Sequence, residues 1–421
     1  MENDYKKIVL ENGLNVYLKN TSSQTLSARL DTNAGSCYEQ IGENGLAHFL
    51  EHCLVNSRTQ KYNLNDVRNI QKQFGYFNSY TNLSKIGITG EVLASDSEKL
   101  LNYLSEVLFY PMLDEQTIEQ ERKKIIQEID NNYNNEDFNY QEKIRKILYA
   151  KHPLEKNPLG NKFVIKQAKK DQINSYYRSF VSPCNTDLII VGNLPKDIEY
   201  IIQNEFSNIP SGVKHPINIP TLTNSMTNRE NVYQYYSLPY SDPYNQHSDL
   251  SLYYNFDYPT STKDKFILSI ISSILENKIL RNITEKKGLV YPVKTRINTS
   301  YNAGILEFIG EAPATKIHEA KEEVFYEMNK MKENKISEDE LGEAKNKALF
   351  NYYKKYESNT GITNLIREEL DNNYLSEEGS DYYNSITTND ILRVANNSLP
   401  DEIEDKYITF IKSPIYIKDK I

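Results

Sequence analysis

The chain has 421 residues, with 49 basic against 58 acidic side chains and a formal net charge of −9. That balance offers no electrostatic footprint for nucleic acid or an anionic membrane surface. Hydrophobic residues at 38%, aromatics at 11% and thinly spread glycine and proline exclude collagen, coiled coil and wholesale disorder.

No apolar run reaches the ~18 residues of a membrane helix, and a chain of this length is expected to divide into two domains. The start, Met1-Glu2-Asn3-Asp4, lacks the basic-then-apolar pattern of a secretory signal. Cys37, Cys53 and Cys184 are odd in number and far apart, which is no disulfide framework. Both features lead us to expect a reducing, cytoplasmic setting.

In chain order, Ile8 to Tyr17 reads as a hairpin around Asn12-Gly13. Leu26 to Asp31 alternates like a strand, and Gly45 to Leu54 is a continuous apolar run of helical character. Lys85 to Val92 reads as a strand, Asp96 to Leu108 and Asp114 to Asn131 as helices, and Leu188 to Leu194 as a strand again. Asn208 to Asn231 collects Pro210, Gly212, Pro216 and Pro220 and reads as a linker. Beyond it the order repeats: strand Leu250 to Phe256, helix Lys265 to Lys278, strands near Tyr291 and Ile305, then helices.

One helix pair makes the repeat visible. Asp114 and Ser337 cap helices that share an apolar pattern, at an offset of 337 − 114 = 223, and Ser337 with Glu340 forms a capping box. The expectation is an α+β fold of two similar mixed-layer domains, 1–210 and 232–421, joined by 211–231.

The sharpest chemical signal is His48-Phe49-Leu50-Glu51-His52. On a helix, positions i and i+4 share a face, so both imidazoles can reach one ion, and Glu51 lies beside them. Two neutral histidines, a carboxylate and water make an open hydrolytic zinc site. The same pattern also fits two histidines packed near the core beside a solvated glutamate. Glu121 and Glu128, two helical turns apart, are candidates to complete the set, although a solvated acidic face explains them better when they are taken alone. The duplicate helix has Ala344 and Asn351 at those places, and the second half has no histidine pair. Acids lost together with the histidines look like parts of one site.

The stretch GSCYEQIGENGLAHFLEHCL resembles the signature of the inverzincin peptidases, the group that includes pitrilysin, insulin-degrading enzyme and the mitochondrial processing peptidase. In that family a zinc-binding glutamate follows at a spacing matched here by 128 − 52 = 76, and an accessory glutamate matches Glu121. The resemblance implies that His48, His52 and Glu128 bind one zinc ion, that Glu51 moves the proton of the attacking water, and that Glu121 orients a ligand. It implies that Asn78, Ser79 and Tyr80, in the stretch Asn78 to Thr81, hold an extended peptide substrate by β-strand addition. The match of Glu285 to Tyr291 implies that Tyr291 stabilises the oxyanion.

The chain departs from the pattern at Thr284, where the family has an arginine; Arg281, three residues earlier, is a candidate substitute, and a solvated surface arginine is the competing reading. The resemblance therefore implies a zinc metallopeptidase for short unfolded peptides, acting as the zinc-bearing subunit with a homologous partner that supplies an Arg/Tyr pair, or as a homodimer. A catalytically silent scaffold and a zinc store or sensor are the alternatives. Cys53, where the family often has methionine, reads as a small buried hydrophobe.

Overall fold

Asn12-Gly13 turns the chain because Gly13 takes a left-handed φ of 89°, and Asn12 turns inward to donate to the Phe206 and Ile209 carbonyls at 2.7 and 3.1 Å. The structure, a computed structural model, describes residues 5–223, 232–236, 247–259, 261–372, 379–399 and 407–413. The first half places β1 (Lys6–Val9), β2 (Asn15–Asn20), β3 (Thr25–Thr32), α1 (Leu46–Asn56), α2 (Leu64–Gln71), β4 (Tyr76–Thr81) and β5 (Ile86–Leu93) in succession. Next come α3 (Ser97–Phe109), α4 (Glu115–Tyr133), α5 (Glu136–Leu148), α6 (Lys162–Gln167), α7 (Lys170–Phe180), β6 (Thr186–Gly192) and α8 (Ile198–Phe206). The strands form one sheet in the order β1-β2-β6-β3-β5-β4, in which only β2 and β6 run parallel.

Strand alternation sorts this sheet's faces. Leu26, Ala28 and Leu30 of β3 and Leu188 and Ile190 of β6 join the main core with α1, α3 and α4. Their neighbours Ile189 and Val191 pack on the other face with Ile362 and Ile366. Burial on both faces is why β6 reads as an unbroken apolar run.

The second half places β7 (Val232–Tyr236), β8 (His247–Phe256), α9 (Thr262–Ile279), β9 (Val293–Asn298), β10 (Gly304–Pro313), α10 (Ile317–Glu333) and α11 (Glu338–Lys354). It ends with α12 (Asn359–Asn372), α13 (Gly379–Ser385), α14 (Thr388–Ser398) and β11 (Ile408–Ser413). Its sheet runs β7-β11-β8-β10-β9. With β1 set aside, the first sheet shows the same succession of one parallel and three antiparallel pairings. The fold is thus two similar α+β domains. The repeated helices keep their caps: the Thr117 N–H donates to Asp114 at 2.8 Å, and the Glu340 N–H to Ser337 at 3.1 Å.

The compact units depart from a single cut through the linker. One comprises residues 1–135, 156–218 and 354–377, the other 136–155, 219–353 and 378–421. The halves exchange a helix: α5 packs Tyr140, Ile144 and Leu148 onto Tyr253, Ile305 and Phe410 of the second sheet, and α12 covers the first. The expected linker divides too, since His215 donates its N–H to Asn185 at 2.9 Å in the first unit while Leu222 donates to Asn302 at 3.0 Å in the second. Its remainder, 224–231, lies outside the described residues. Apolar periodicity in α5 and α12 announces burial but not against which sheet, so the exchange leaves no local trace.

Polar bonds hold α12 down. Buried Asn359 donates to the Thr25 carbonyl at 3.0 Å and to Thr25 Oγ1 at 2.9 Å, and accepts from Thr21 Oγ1 at 3.1 Å. Asn359→Ala should destabilise the chain by about 1–3 kcal/mol and speed amide exchange across Thr21 to Thr25. An unchanged urea midpoint would show that these bonds do not fasten the exchanged helix.

Candidate metal centre

Helix α1 begins without a local cap. Gly45 enters it at a φ of 105°, and a Cβ there would lie 2.7 Å from the Gly160 Cα, so glycine is required on both counts. The orphan donors are met from a distance: Glu39 Oε1 accepts from the Gly45 and Ala47 N–H groups at 2.9 and 3.0 Å. Burial pushes the Glu39 carboxyl up, to about 7, against those bonds and the pull of Lys156. Leu46, Phe49, Leu50, Cys53 and Leu54 bury the apolar stripe of α1 in the core. Cys53 is fully buried there with its thiol pKa pushed up by burial, so it behaves as a small hydrophobe.

The remaining stripe turns His48 and His52 toward α4. Their Nε2 atoms lie 3.1 Å apart, and Glu128 Oε2 lies 3.8 Å from the first and 3.5 Å from the second. Bonds of 2.0–2.2 Å to a tetrahedral zinc ion require ligand separations of about 3.3–3.6 Å, and the three observed edges bracket that range. Among the described residues no other group of three or more His, Cys, Asp and Glu side chains brings its donor atoms within 4.8 Å of one another. The outward nitrogens fix the tautomers: His48 Nδ1 lies 3.4 Å from the Leu159 carbonyl and His52 Nδ1 lies 3.4 Å from Glu121 Oε2. A proton on each Nδ1 leaves both Nε2 lone pairs free for a cation. The Glu128 side chain is 42% exposed, which leaves a path for water on that side.

Glu121 is not part of a solvated acidic face. It is 1% exposed, accepting from Asn56 at 3.3 Å and Lys124 at 2.6 Å as well as facing His52. Burial raises its carboxyl, but His52 and Lys124 outweigh that and hold it below the usual range. The His52 hydrogen bond likewise lowers Glu128. Burial and the neighbouring His52 depress His48. Burial depresses His52 too, but its bonds to Glu121 and Glu128 and the nearby carboxylates carry it up to about 9. In the metal-free chain His52 thus holds a proton where a cation would sit.

Glu51 is buried beside the histidines and points to β4, where Ser79 Oγ donates to Oε1 and Thr81 Oγ1 donates to Oε2 at 3.1 Å. Ser79 and Thr81 share the α1 face of β4. Tyr80 lies on the opposite face, its hydroxyl bonded to Asp31 and Arg29, and exposed Asn78 follows the same alternation. The structure therefore gathers His48, Glu51, His52, Glu121, Glu128 and Ser79, while the Tyr80 side chain is engaged elsewhere. Tyr291 and Arg281 belong to the second unit. Tyr291 is 71% exposed, its N–H bonded to the Glu311 carbonyl at 2.9 Å. Arg281 is exposed on Leu280–Glu285, a stretch with π-helical i→i+5 bonding, where a spacing of three residues falls short of a full turn.

Sequence reasoning missed Glu39, Asn56, Lys124, Thr81 and the Leu159 carbonyl. Two of these left a signal: Asn56 is one turn beyond His52, and Thr81 is two beyond Ser79 on the same strand face. The second half keeps one trace of the motif. Glu276 of α9 accepts the Thr295 N–H of β9 at 3.1 Å, as Glu51 accepts from β4. Matching the two glutamates, 276 − 51 = 225, sets Ser273 and Asn277 where the histidines stand. Ion pairs Lys278–Glu340 at 2.6 Å and Lys347–Glu276 at 3.8 Å link α9 to α11 there.

Zinc added to the metal-free chain at pH 7 should release about one proton, since His52 is still protonated there and the cation displaces it. Apparent affinity should rise roughly tenfold per pH unit from pH 7 toward 9 and then level. Calorimetry in buffers of different ionisation enthalpy reads both, and no proton release would overturn the assignment. Glu121→Gln should weaken zinc binding by about 10–100-fold.

Comparison with known proteins agrees with this architecture. Residues 15–162 match the model of the insulinase (peptidase family M16) domain, and residues 167–348 match that of the peptidase M16 inactive domain. An uncharacterized zinc protease of Rickettsia felis is 26% identical over 408 residues, covering 94% of this chain and 95% of its own. The mitochondrial-processing peptidase subunit beta of Saccharomyces cerevisiae is 29% identical over 214 residues, 48% of this chain and 44% of its own. Among solved structures, a peptidase M16 inactive domain from Pseudomonas fluorescens superposes with a TM-score of 0.83 at 17% identity, covering 99% of this chain and all of the other. A protease from Helicobacter pylori gives 0.78 at 19%, covering 98% and all of its own chain. The chain belongs to the M16 peptidase family, in its two-domain form.

Proposed function

We propose that the chain is a zinc-dependent endopeptidase for short unfolded peptides, working as the zinc-bearing subunit beside a homologous partner. The observation that carries this reading is the convergence of His48, His52 and Glu128 at tetrahedral spacing with Glu51 on the same helical turn. Zinc, when held by those three side chains, supplies a Lewis acid that polarises a water and the scissile carbonyl. Glu51 takes the proton of the attacking water on a carboxylate oxygen and returns it to the leaving nitrogen. Glu121 keeps the His52 ring turned through Nδ1, with Asn56 and Lys124 holding Glu121 in place.

Among the described residues β4 ends its sheet, so an extended peptide can add along its outer edge. Main-chain bonds then give affinity with little demand on sequence, and a folded chain cannot present such a strand. Asn78 lies on that strand, exposed to a peptide laid along it. Tyr291 keeps the oxyanion role that the family resemblance implies. Thr284, at the family's arginine position, gives its hydroxyl to the Val290 carbonyl at 2.5 Å and brings no cation, which supports a partner that supplies one; Arg281 is the candidate within the chain. The three cysteines are free, in keeping with a reducing compartment such as the cytoplasm. Among the described residues no helix is long and apolar enough to cross a membrane.

Mass spectrometry of an unstructured peptide pool tests the proposal. The zinc-loaded chain should cleave it, and Glu51→Gln should retain zinc while cleaving at least about 10²-fold more slowly. A rate unmoved by a homologous partner would sink the subunit reading alone. A zinc-loaded chain inert with and without that partner would sink the peptidase reading.

A further inference from the structure

Both oxygens of the Glu51 carboxylate accept a hydroxyl from one strand, Ser79 to Oε1 and Thr81 to Oε2. A carboxylate offers about four lone-pair sites, so two are committed to β4 and two are left for other donors. Two bonds on two different oxygens fix the rotation of the carboxylate plane, which a single bond does not. Glu51 is 6% exposed, and bulk water does not compete for that role.

The second unit handles the same contact differently. Glu276 accepts the main-chain N–H of Thr295, so the carboxylate consumes a backbone donor of the terminal strand β9. In the first unit side-chain hydroxyls do the work, and the main chain of β4 is not spent on Glu51. β4 thus satisfies the carboxylate from its face and keeps its edge for a peptide strand.

We propose that Ser79 and Thr81 are positioning residues that set the Glu51 carboxylate for proton transfer, so that the strand that docks the peptide also aims the base. The inference rests on the peptidase reading above and replaces direct substrate contact by the Ser79 side chain. Losing the clamp misplaces the base without weakening the edge: kcat falls while KM and zinc content hold.

The test uses the zinc-loaded chain and one peptide it cleaves, with Ser79→Ala, Thr81→Val, their double variant and the conservative Thr81→Ser. Each single loss should lower kcat about tenfold and the double about 100-fold, with KM and zinc stoichiometry unchanged, and Thr81→Ser should restore most of the rate. A double variant with wild-type kcat would overturn the inference while leaving the peptidase reading intact. A loss of kcat that follows lost zinc, or that Thr81→Ser does not restore, would overturn it too, because the hydroxyls would then serve only the fold. A zinc-loaded wild type that cleaves nothing with and without a homologous partner overturns the reading and the inference together.

Discussion

Two histidines one helical turn apart supply a single edge of the proposed coordination shell, and the rest of that site depends on how α4 is held against α1. Apolar contact alone sets separation but lets a helix roll about its axis. Arg122 prevents the roll. It lies over the Phe49 ring of α1, 5.2 Å from the centroid, and its guanidinium donates to the Ile165 and Ala168 carbonyls at the end of α6. Adjacent on the helix, Glu121 and Arg122 are anchored in different directions, one to His52 and Lys124, the other to Phe49 and α6. With both fixed, the height and rotation of Glu128 two turns on follow from helix geometry.

The electrostatics make this arrangement expectant. Glu51, Glu121 and Glu128 gather around two imidazoles, with Lys124 paired to Glu121. Like charges in a partly buried site repel unless a cation or a proton intervenes, and the elevated His52 shows the proton doing so. Binding a cation exchanges one positive charge for two and removes repulsion already built into the fold. The opposing cost of holding carboxylates out of water is offset by hydroxyl, amide and ammonium donors on Glu51 and Glu121, while the more exposed Glu128 keeps solvent access.

Much of this was legible in the residues. The histidine pair, Glu51 and the duplicated capped helices are local or periodic features, and local features survive in a sequence; Glu128 was singled out only through the family resemblance. The burial of Glu121 was not read from the residues, where a solvated acidic face was the better reading of it alone, because its partners His52 and Asn56 come from another helix. What the sequence did not disclose is tertiary. Glu39 caps α1 from a separate turn, the Leu159 carbonyl reaches His48 from a distant loop, and the exchange of α5 and α12 depends on which sheet each apolar face meets. The ambiguity of Arg281 has another origin: ordinary α spacing does not describe a stretch wound with i→i+5 bonds.

The duplication separates what a helix in this position needs for folding from what it needs for chemistry. Both α1 and α9 run buried beneath their sheet, and both offer a glutamate to the terminal strand. That shared contact satisfies a backbone or hydroxyl donor near a sheet end and requires no metal. The histidines, by contrast, have no folding task that ion pairs cannot meet: in the second unit Lys278–Glu340 and Lys347–Glu276 tie the equivalent helices together without them. The glutamate is therefore the part of the motif that the fold itself retains. The paired imidazoles with Glu121 and Glu128 are the part that the second unit lacks, which is where a cation would act on the reading proposed above.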